Sequence, residues 1–308
     1  MIDDSSLTLY TRTAELAANQ VIDSYSTSFG LACRLLGARH RQHVRNIYAL
    51  VRIADELVDG MTAAAGLEPT AQSATLERMV DETHLAMRLG CSSDLIVHAF
   101  ARTARAVEID ESLTRPFFAS MRTDLRRSAS VSQASAGTVD PAALAYFSSA
   151  QHSEYVYGSA EAVGLMCLRV FLQGQVRSDA DLATLTHGAR QLGAAFQNIN
   201  FLRDLSDDTS RLGRSYLTGS GGLTEADRGA WVAVIRAQLT DADAAIPLLP
   251  RDARAAVRSA RALFGALTDR IATVSIDELY ARRIRVPNPV KAALATAALA
   301  KTALESGA

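Results

Sequence analysis

Apolar residues recur every three or four positions along most of this chain, a spacing that predicts amphipathic helices. Helical patterns of this kind cover residues 7–36, 76–89 and 94–106, and they resume over residues 141–171. Runs that alternate apolar and polar residues, the signal of a strand, are absent from the sequence. The pattern therefore predicts an all-α protein, and we expect one domain over residues 1–308.

Two of the predicted helices carry a polar stripe on an otherwise apolar surface. The first stripe has offsets of 0, 4, 7 and 11 and consists of Tyr48, Arg52, Asp55 and Asp59. The second has offsets of 0, 3, 7 and 11 and consists of Gln197, Asn200, Asp204 and Asp208. On a regular helix each stripe is about 16 Å long, with its two aspartates about 6 Å apart. Because the flanking residues are apolar, these carboxylates need neutralising partners.

The two stripes together predict a metal-bridged diphosphate clamp. If the helices face each other across a cleft, four carboxylates converge, and cations are needed between them. Oxygen ligands favour Mg²⁺, or Mn²⁺ in its place, and Mg²⁺ is usually shared with substrate phosphates. Arg52 and Arg203 lie beside the aspartates and suit forked contacts with phosphate oxygens. The predicted metal ligands are Asp55, Asp59, Asn200, Asp204 and Asp208.

The motifs YALVRIADELVD, from Tyr48 to Asp59, and QNINFLRDLSDD, from Gln197 to Asp208, then GRSYL, resemble those of the squalene/phytoene synthase family. The resemblance implies an isoprenoid-synthase-type helical bundle around a central apolar cavity. It also implies head-to-head condensation of two C15 or C20 prenyl diphosphates through a cyclopropylcarbinyl diphosphate. We expect two geranylgeranyl diphosphates to give phytoene, and NADPH to be needed only if the product is squalene.

The resemblance assigns further roles, residue by residue. The residues it places at the diphosphate are Tyr25, Ser28, Arg52, Gln197, Asn200, Arg203, Arg214 and Tyr216. Those it places along the cavity are Phe29, Phe117, Phe118, Ala160 and Val163. Tyr155 matches a family tyrosine beside the reacting carbons and joins the aspartates as a catalytic residue. Taken singly, such phenylalanines and tyrosines are more often core residues, and the serines near Ser28 also suit a capped helix end.

Two residues depart from the family pattern and keep other functions open. Glu56 replaces a second aspartate of the first motif, and Glu161 replaces a glycine where helices were expected to approach closely. The alternatives are a squalene or presqualene diphosphate synthase that uses farnesyl diphosphate, a class I terpene cyclase, and a non-catalytic lipid-binding protein or subunit.

Net charge, cysteine content and the basic tail limit which partners and which cellular compartment are expected. A net charge of -1 excludes a polyanion-binding surface, so no nucleic acid partner is expected. Three dispersed cysteines and an acidic amino terminus predict a cytoplasmic protein. The sequence leaves open whether the protein is a monomer or a homodimer. The basic tail residues Arg282, Arg283 and Arg285 suit capping of a diphosphate or contact with anionic lipid, but we interpret them as a surface patch. Peripheral contact with a membrane stays open.

Overall fold

The computed structural model describes residues 4–135, 147–206 and 222–305, and within these ranges no strand occurs. The helices run in chain order as α1 Asp4–Tyr25, α2 Thr27–Arg34, α3 Ala38–Glu56, α4 Thr62–Ala64, α5 Pro69–Leu89, α6 Leu95–Ala106, α7 Glu111–Ser135, α8 Ser149–Val156, α9 Ala162–Leu172, α10 Asp179–Arg203, α11 Glu225–Ala245, α12 Arg251–Thr273, α13 Ile276–Ala281 and α14 Asn288–Leu304. The all-α prediction is confirmed.

The chain breaks between α1 and α2, as the serine-rich sequence there predicted. Ser26 has an extended backbone, and its hydroxyl accepts a hydrogen bond of 3.0 Å from the backbone N–H of Phe29. This is the geometry of a helix N-cap, which satisfies a backbone donor that would otherwise lack a partner. The break turns the chain so that Tyr25 and Thr27 lie on either side of the cap.

Two large apolar clusters form most of the core among the described residues, beside two smaller ones. One is built mainly from α3, α5, α6, α7 and α9. The other is built from α10, α11, α12 and α13. Phe29 packs against both clusters, so the start of α2 lies at the seam between them.

Two π-helical turns interrupt the regular helices. The first turn, Leu57–Met61, follows α3, and Gly60 within it has a φ of 150°. The second, Tyr157–Glu161, separates α8 from α9. Such turns widen the helix and are frequent at functional sites. The first turn contains Asp59, and the second contains Ala160 and Glu161, all of which the sequence analysis singled out.

Glycines let the neighbouring helices approach the second π turn closely. A Cβ at Gly158 would lie 2.2 Å from the carbonyl oxygen of Pro116 in α7, and one at Gly193 in α10 would lie 2.6 Å from that of Ala160. The second π turn is therefore held between α7 and α10. Ser149–Leu172, which includes this turn, is by length and composition apolar enough to cross a membrane, but a core helix passes the same test.

We predict that Gly158→Ala destabilises the protein by about 1–3 kcal/mol, because the added methyl group meets the backbone carbonyl of Pro116 as well as the Ser120 hydroxyl. Urea unfolding followed by circular dichroism measures the change. Gly229→Ala is the matched control, since a Cβ at Gly229 in α11 meets nothing within 4 Å. Equal midpoints for Gly158→Ala and Gly229→Ala would contradict the close contact between α7 and the π turn.

Candidate active site

The first motif does not follow one regular helix, contrary to the sequence prediction. Asp55 lies in the last turn of α3, whereas Asp59 lies in the first π turn. Within this π turn only Gly60, which follows Asp59, has a non-helical φ and ψ. Asp55 and Asp59 therefore both lie on helical backbone, and the regular helix is broken directly after Asp59.

The Arg52 side chain contacts two other side chains, those of Glu56 and Tyr25. Its guanidinium forms an ion pair with Glu56 one turn later, and it lies over the Tyr25 ring with 4.5 Å between the guanidinium carbon and the ring centroid. Its Nε is buried and has no hydrogen-bond partner among the described residues. Glu56, the departure from the family pattern, thus neutralises the arginine expected to meet phosphate.

The second motif also departs from a single helix. α10 ends at Arg203, and Asp204 is its C-cap, with φ −99° and ψ 11°. Leu205 and Ser206 are helical again, so the regular helix is interrupted at Asp204. Gln197 and Asn200 lie on α10, and the predicted stripe can be followed as far as Asp204 because Asp208 lies outside the described residues.

Two guanidinium groups bracket the Asp204 carboxylate. Arg203 donates to both of its oxygens, with 2.8 Å from Nε to Oδ1. Arg283, from the segment after α13, places its Nε 2.9 Å from the same Oδ1. Arg283, whose side chain is 42% exposed, therefore lies at the surface and also contacts the second motif, whereas Arg282 pairs with Glu278 of α13. The spacing of residues in the sequence could not predict that Arg283 contacts the second motif.

The break between α1 and α2 connects the two motifs. On one side of it, Tyr25 stacks on Arg52 of the first motif. On the other side, the Thr27 hydroxyl lies 3.0 Å from Nζ of Lys291. Burial lowers the pKa of Lys291, and the nearby charges of Arg285 and Arg203 lower it further. Lys291 therefore lies close to the arginine that holds Asp204.

Aromatic contacts support the same convergence. The Phe29 ring lies 6.0 Å from that of Tyr48, at the start of the first motif, and 6.0 Å from that of Phe196, just before the second. Phe196 in turn stacks on Phe264 of α12, with 3.7 Å between centroids. Phe29, predicted to line the cavity, thus joins both motif helices.

The donor set around the second motif fits a cation. Oδ1 of Asn200 is buried and has no hydrogen-bond partner among the described residues. A buried acceptor of this kind is costly unless a donor or a cation reaches it. Asn200 also lies seven residues after Gly193, so it shares the helical face that meets the second π turn.

The structure describes only some of the residues that were predicted to bind the metal and the diphosphate. The described residues contain no group of three or more His, Cys, Asp or Glu side chains arranged to hold a metal ion. Asp208, Arg214 and Tyr216 lie outside the described residues, as does the side chain of Ser28. The roles predicted for these four residues, and the four-carboxylate cluster, stay predictions.

Tyr155 is buried beside α10. Its hydroxyl donates a hydrogen bond of 2.7 Å to Oδ2 of Asp124, and its ring lies 5.9 Å from that of Phe201. Phe201 directly follows Asn200, so the predicted catalytic tyrosine packs within one turn of the second motif. Asp124, from α7, was not among the residues predicted for the site.

The remaining predicted cavity residues differ in burial. Phe117 and Phe118 are fully enclosed in the first core cluster, and their ring centroids are 5.2 Å apart. Ala160 and Val163 are half-buried, at and just after the second π turn. Contact of any of these with a prenyl chain stays a prediction.

Glu161 does not prevent close helix packing. Its carboxylate accepts a hydrogen bond of 2.6 Å from Nε of Arg190 in α10, which neutralises the charge. The close approach expected at position 161 is made instead by Gly193, whose Cβ would lie 3.0 Å from Cα of Glu161. The unusual glutamate is thus part of an ion pair between helices.

An all-α bundle with two acidic motifs beside a cluster of cations defines the isoprenoid-synthase class of fold. The family model for squalene/phytoene synthase matches residues 22–221, more than half of the chain. The chain belongs to this family.

The chain is similar to curated phytoene synthases and to solved structures of the same fold. It is 28% identical to phytoene synthase 3 of Zea mays over 88% of this chain and 62% of that protein. It is 31% identical to a 15-cis-phytoene synthase of a Paracoccus strain over 66% of this chain and 60% of that protein. The chain thus spans less than two thirds of these relatives.

Two crystal structures show the fold. A dehydrosqualene synthase superposes with a TM-score of 0.71 at 20% identity, covering 96% of this chain and 98% of that one. A squalene synthase of Alicyclobacillus acidocaldarius superposes with a TM-score of 0.68 at 15% identity, covering 90% and 97%. The isoprenoid-synthase fold predicted from the sequence is confirmed.

We predict that Glu56→Gln strengthens binding of inorganic pyrophosphate about twofold, because Arg52 is released from an i,i+4 ion pair of modest strength. Isothermal titration at fixed Mg²⁺ measures the dissociation constant. Glu111→Gln is the matched control, since Glu111 forms the same i,i+4 pair with Arg115 on the surface of α7. Weaker or unchanged binding in Glu56→Gln would exclude Arg52 from the phosphate site.

Proposed function

We propose that this protein is a divalent-metal-dependent prenyltransferase that condenses two prenyl diphosphates head to head. The observation that carries the proposal is that residues at the α1–α2 break contact both motif helices: Tyr25 contacts Arg52, and Phe29 contacts Tyr48 and Phe196. Membership of the squalene/phytoene synthase family supports it.

The acidic side chains would hold the metal. Asp55, Asp59, Asn200 and Asp204, with Asp208, offer oxygen ligands of the kind Mg²⁺ or Mn²⁺ prefers. Bound there, the metal supplies electrostatic stabilisation to the departing diphosphate. Two observations support this fit. Oδ1 of Asn200 has no hydrogen-bond partner among the described residues, and the negative charge of Asp204 is balanced by arginine side chains that a metal could replace.

The cationic side chains would hold the diphosphates. In the ligand-free chain, Arg52 is paired with Glu56, and Arg203 with Asp204. A diphosphate offers these guanidinium groups bidentate oxygen acceptors, and a metal on Asp204 would release Arg203 and Arg283 for that purpose. Lys291 adds a further positive charge beside Arg203.

The apolar side chains would protect the carbocation that follows ionisation. Such a cation requires a pocket without water, in which the double bond of the second substrate is the available nucleophile. Phe29 and Phe196, which join the two motif helices, supply apolar surface at this point. Ala160, Val163, Phe117 and Phe118 extend that surface in our proposal.

The specific reaction we propose is condensation of two geranylgeranyl diphosphates to phytoene. Phytoene synthases are among the curated relatives, and one of them matches 88% of this chain. The test is mass spectrometry of the product released from C15 and C20 diphosphates with Mg²⁺, with and without NADPH. A C40 hydrocarbon supports the proposal, whereas a C30 product indicates a squalene-type enzyme. A product with the carbon number of its substrate indicates a cyclase, and absence of product a non-catalytic protein.

We predict that Asp55→Ala and Asp204→Ala each lower kcat by about a hundredfold or more, because charge on the leaving diphosphate loses its stabilisation. Steady-state assays with radiolabelled substrate measure the loss, and circular dichroism tests that both variants fold. Asp269→Asn is the control, since Asp269 forms an exposed pair with Arg236. Full activity of the wild type in EDTA would contradict metal dependence.

A further inference from the structure

The structure assigns Asp124 as a positioning residue for Tyr155, an inference that rests on the proposed function. Asp124 is 3% exposed and Tyr155 6% exposed, and the phenol donates a hydrogen bond of 2.7 Å to Oδ2 of the carboxylate. Neither motif contains Asp124, so its role is separate from that of the acidic clamp.

One face of α7 holds the tyrosine at two points. The Ser120 hydroxyl donates a hydrogen bond of 3.0 Å to the backbone carbonyl of Tyr155, while Asp124, one turn further along α7, accepts from its side chain. The close contact of Gly158 with Pro116 and Ser120 fixes the following π turn against the same face. Backbone and hydroxyl of Tyr155 are therefore both set by α7.

The contact also fixes the direction of the phenol dipole. An ionised carboxylate can only accept hydrogen bonds, so the Tyr155 proton points toward Asp124. The Tyr155 proton therefore does not point toward groups on the other side of the phenol oxygen. Near a carbocation, electron-rich oxygen is favourable, whereas a hydroxyl proton pointing toward the cation is repelled.

The position of the pair suits this role. The Tyr155 ring packs against Phe201 of α10, which directly follows Asn200. One turn after Tyr155, the buried Oγ of Ser159 has no hydrogen-bond partner among the described residues. Tyr155 thus lies between the second π turn, which carries the Ser159 hydroxyl, and the second motif, which contains Phe201.

If Tyr155 served packing alone, a buried carboxylate would be an unfavourable hydrogen-bond acceptor for it, because burying the charge costs free energy. Burial of an anion costs more than burial of an amide or a hydroxyl, either of which could accept the same hydrogen bond. An asparagine at position 124 would have nearly the same volume, but its amide could donate to the phenol oxygen and occupy the lone pairs. Charge at this position therefore sets which way the phenol points.

The test is a double-mutant cycle of Asp124→Asn and Tyr155→Phe, with kcat and KM measured for the substrate that the wild type accepts. We expect Asp124→Asn to lower kcat about tenfold to a hundredfold and to change KM less than twofold, because orientation rather than binding is lost. In the Tyr155→Phe background, Asp124→Asn should have almost no further effect on kcat. Thr123→Ala, which alters the neighbouring residue of α7, is the control for general disturbance of the helix.

A second measurement is independent of activity. Tyrosine labelled with ¹³C at Cζ gives one resonance for each of the 8 tyrosines, and Tyr155→Phe identifies that of Tyr155. Asp124→Asn should shift this resonance and leave the others in place.

The outcomes separate the inference from the proposed function. Additive losses of kcat in the cycle, full activity of Tyr155→Phe, or an unshifted Tyr155 resonance in Asp124→Asn would each overturn the role of Asp124 while the wild type remains a prenyltransferase. A folded wild type that forms no condensation product from C15 or C20 diphosphates overturns the proposed function and, with it, this role, whatever the resonance shows.

Discussion

The need to balance negative charge inside an apolar bundle governs this structure. Asp204 ends a helix whose neighbouring residues are buried, and a carboxylate in such surroundings is unfavourable without a cation. Arg203 and Arg283 provide that balance. The carboxylate that we propose as a metal ligand thus also positions the two guanidinium groups that we propose as diphosphate ligands.

Residues at the α1–α2 break contact both motif helices and so bring the two motifs to one region of the bundle. Ser26 caps α2 and sets Tyr25 against one motif and Thr27 toward the cations of the other. Phe29 lies between the two core clusters, so the position of both motifs depends on one short helix. A change at this break would alter the two halves of the clamp together.

The sequence predicted the helical class and the two motifs because periodicity and spacing are local properties. It did not predict that α10 ends at Arg203 or that Asp59 lies in a π turn, since both depend on how the motif residues meet the rest of the bundle. The contacts of Arg283 with Asp204 and of Asp124 with Tyr155 were missed for a different reason. Each of these two residues reaches the site from a segment distant in sequence, and neither a basic tail nor a single aspartate in α7 indicates which side chain it meets.

The most direct test of this account is a crystal structure with Mn²⁺ and a prenyl thiodiphosphate that does not ionise, in which anomalous scattering locates the metal. The account predicts Mn²⁺ coordinated by Asp204 and by Asp55 or Asp59, with the guanidinium groups of Arg203 and Arg283 moved from Asp204 to the phosphate oxygens. Mn²⁺ bound elsewhere, with both arginines still paired to Asp204, would contradict it.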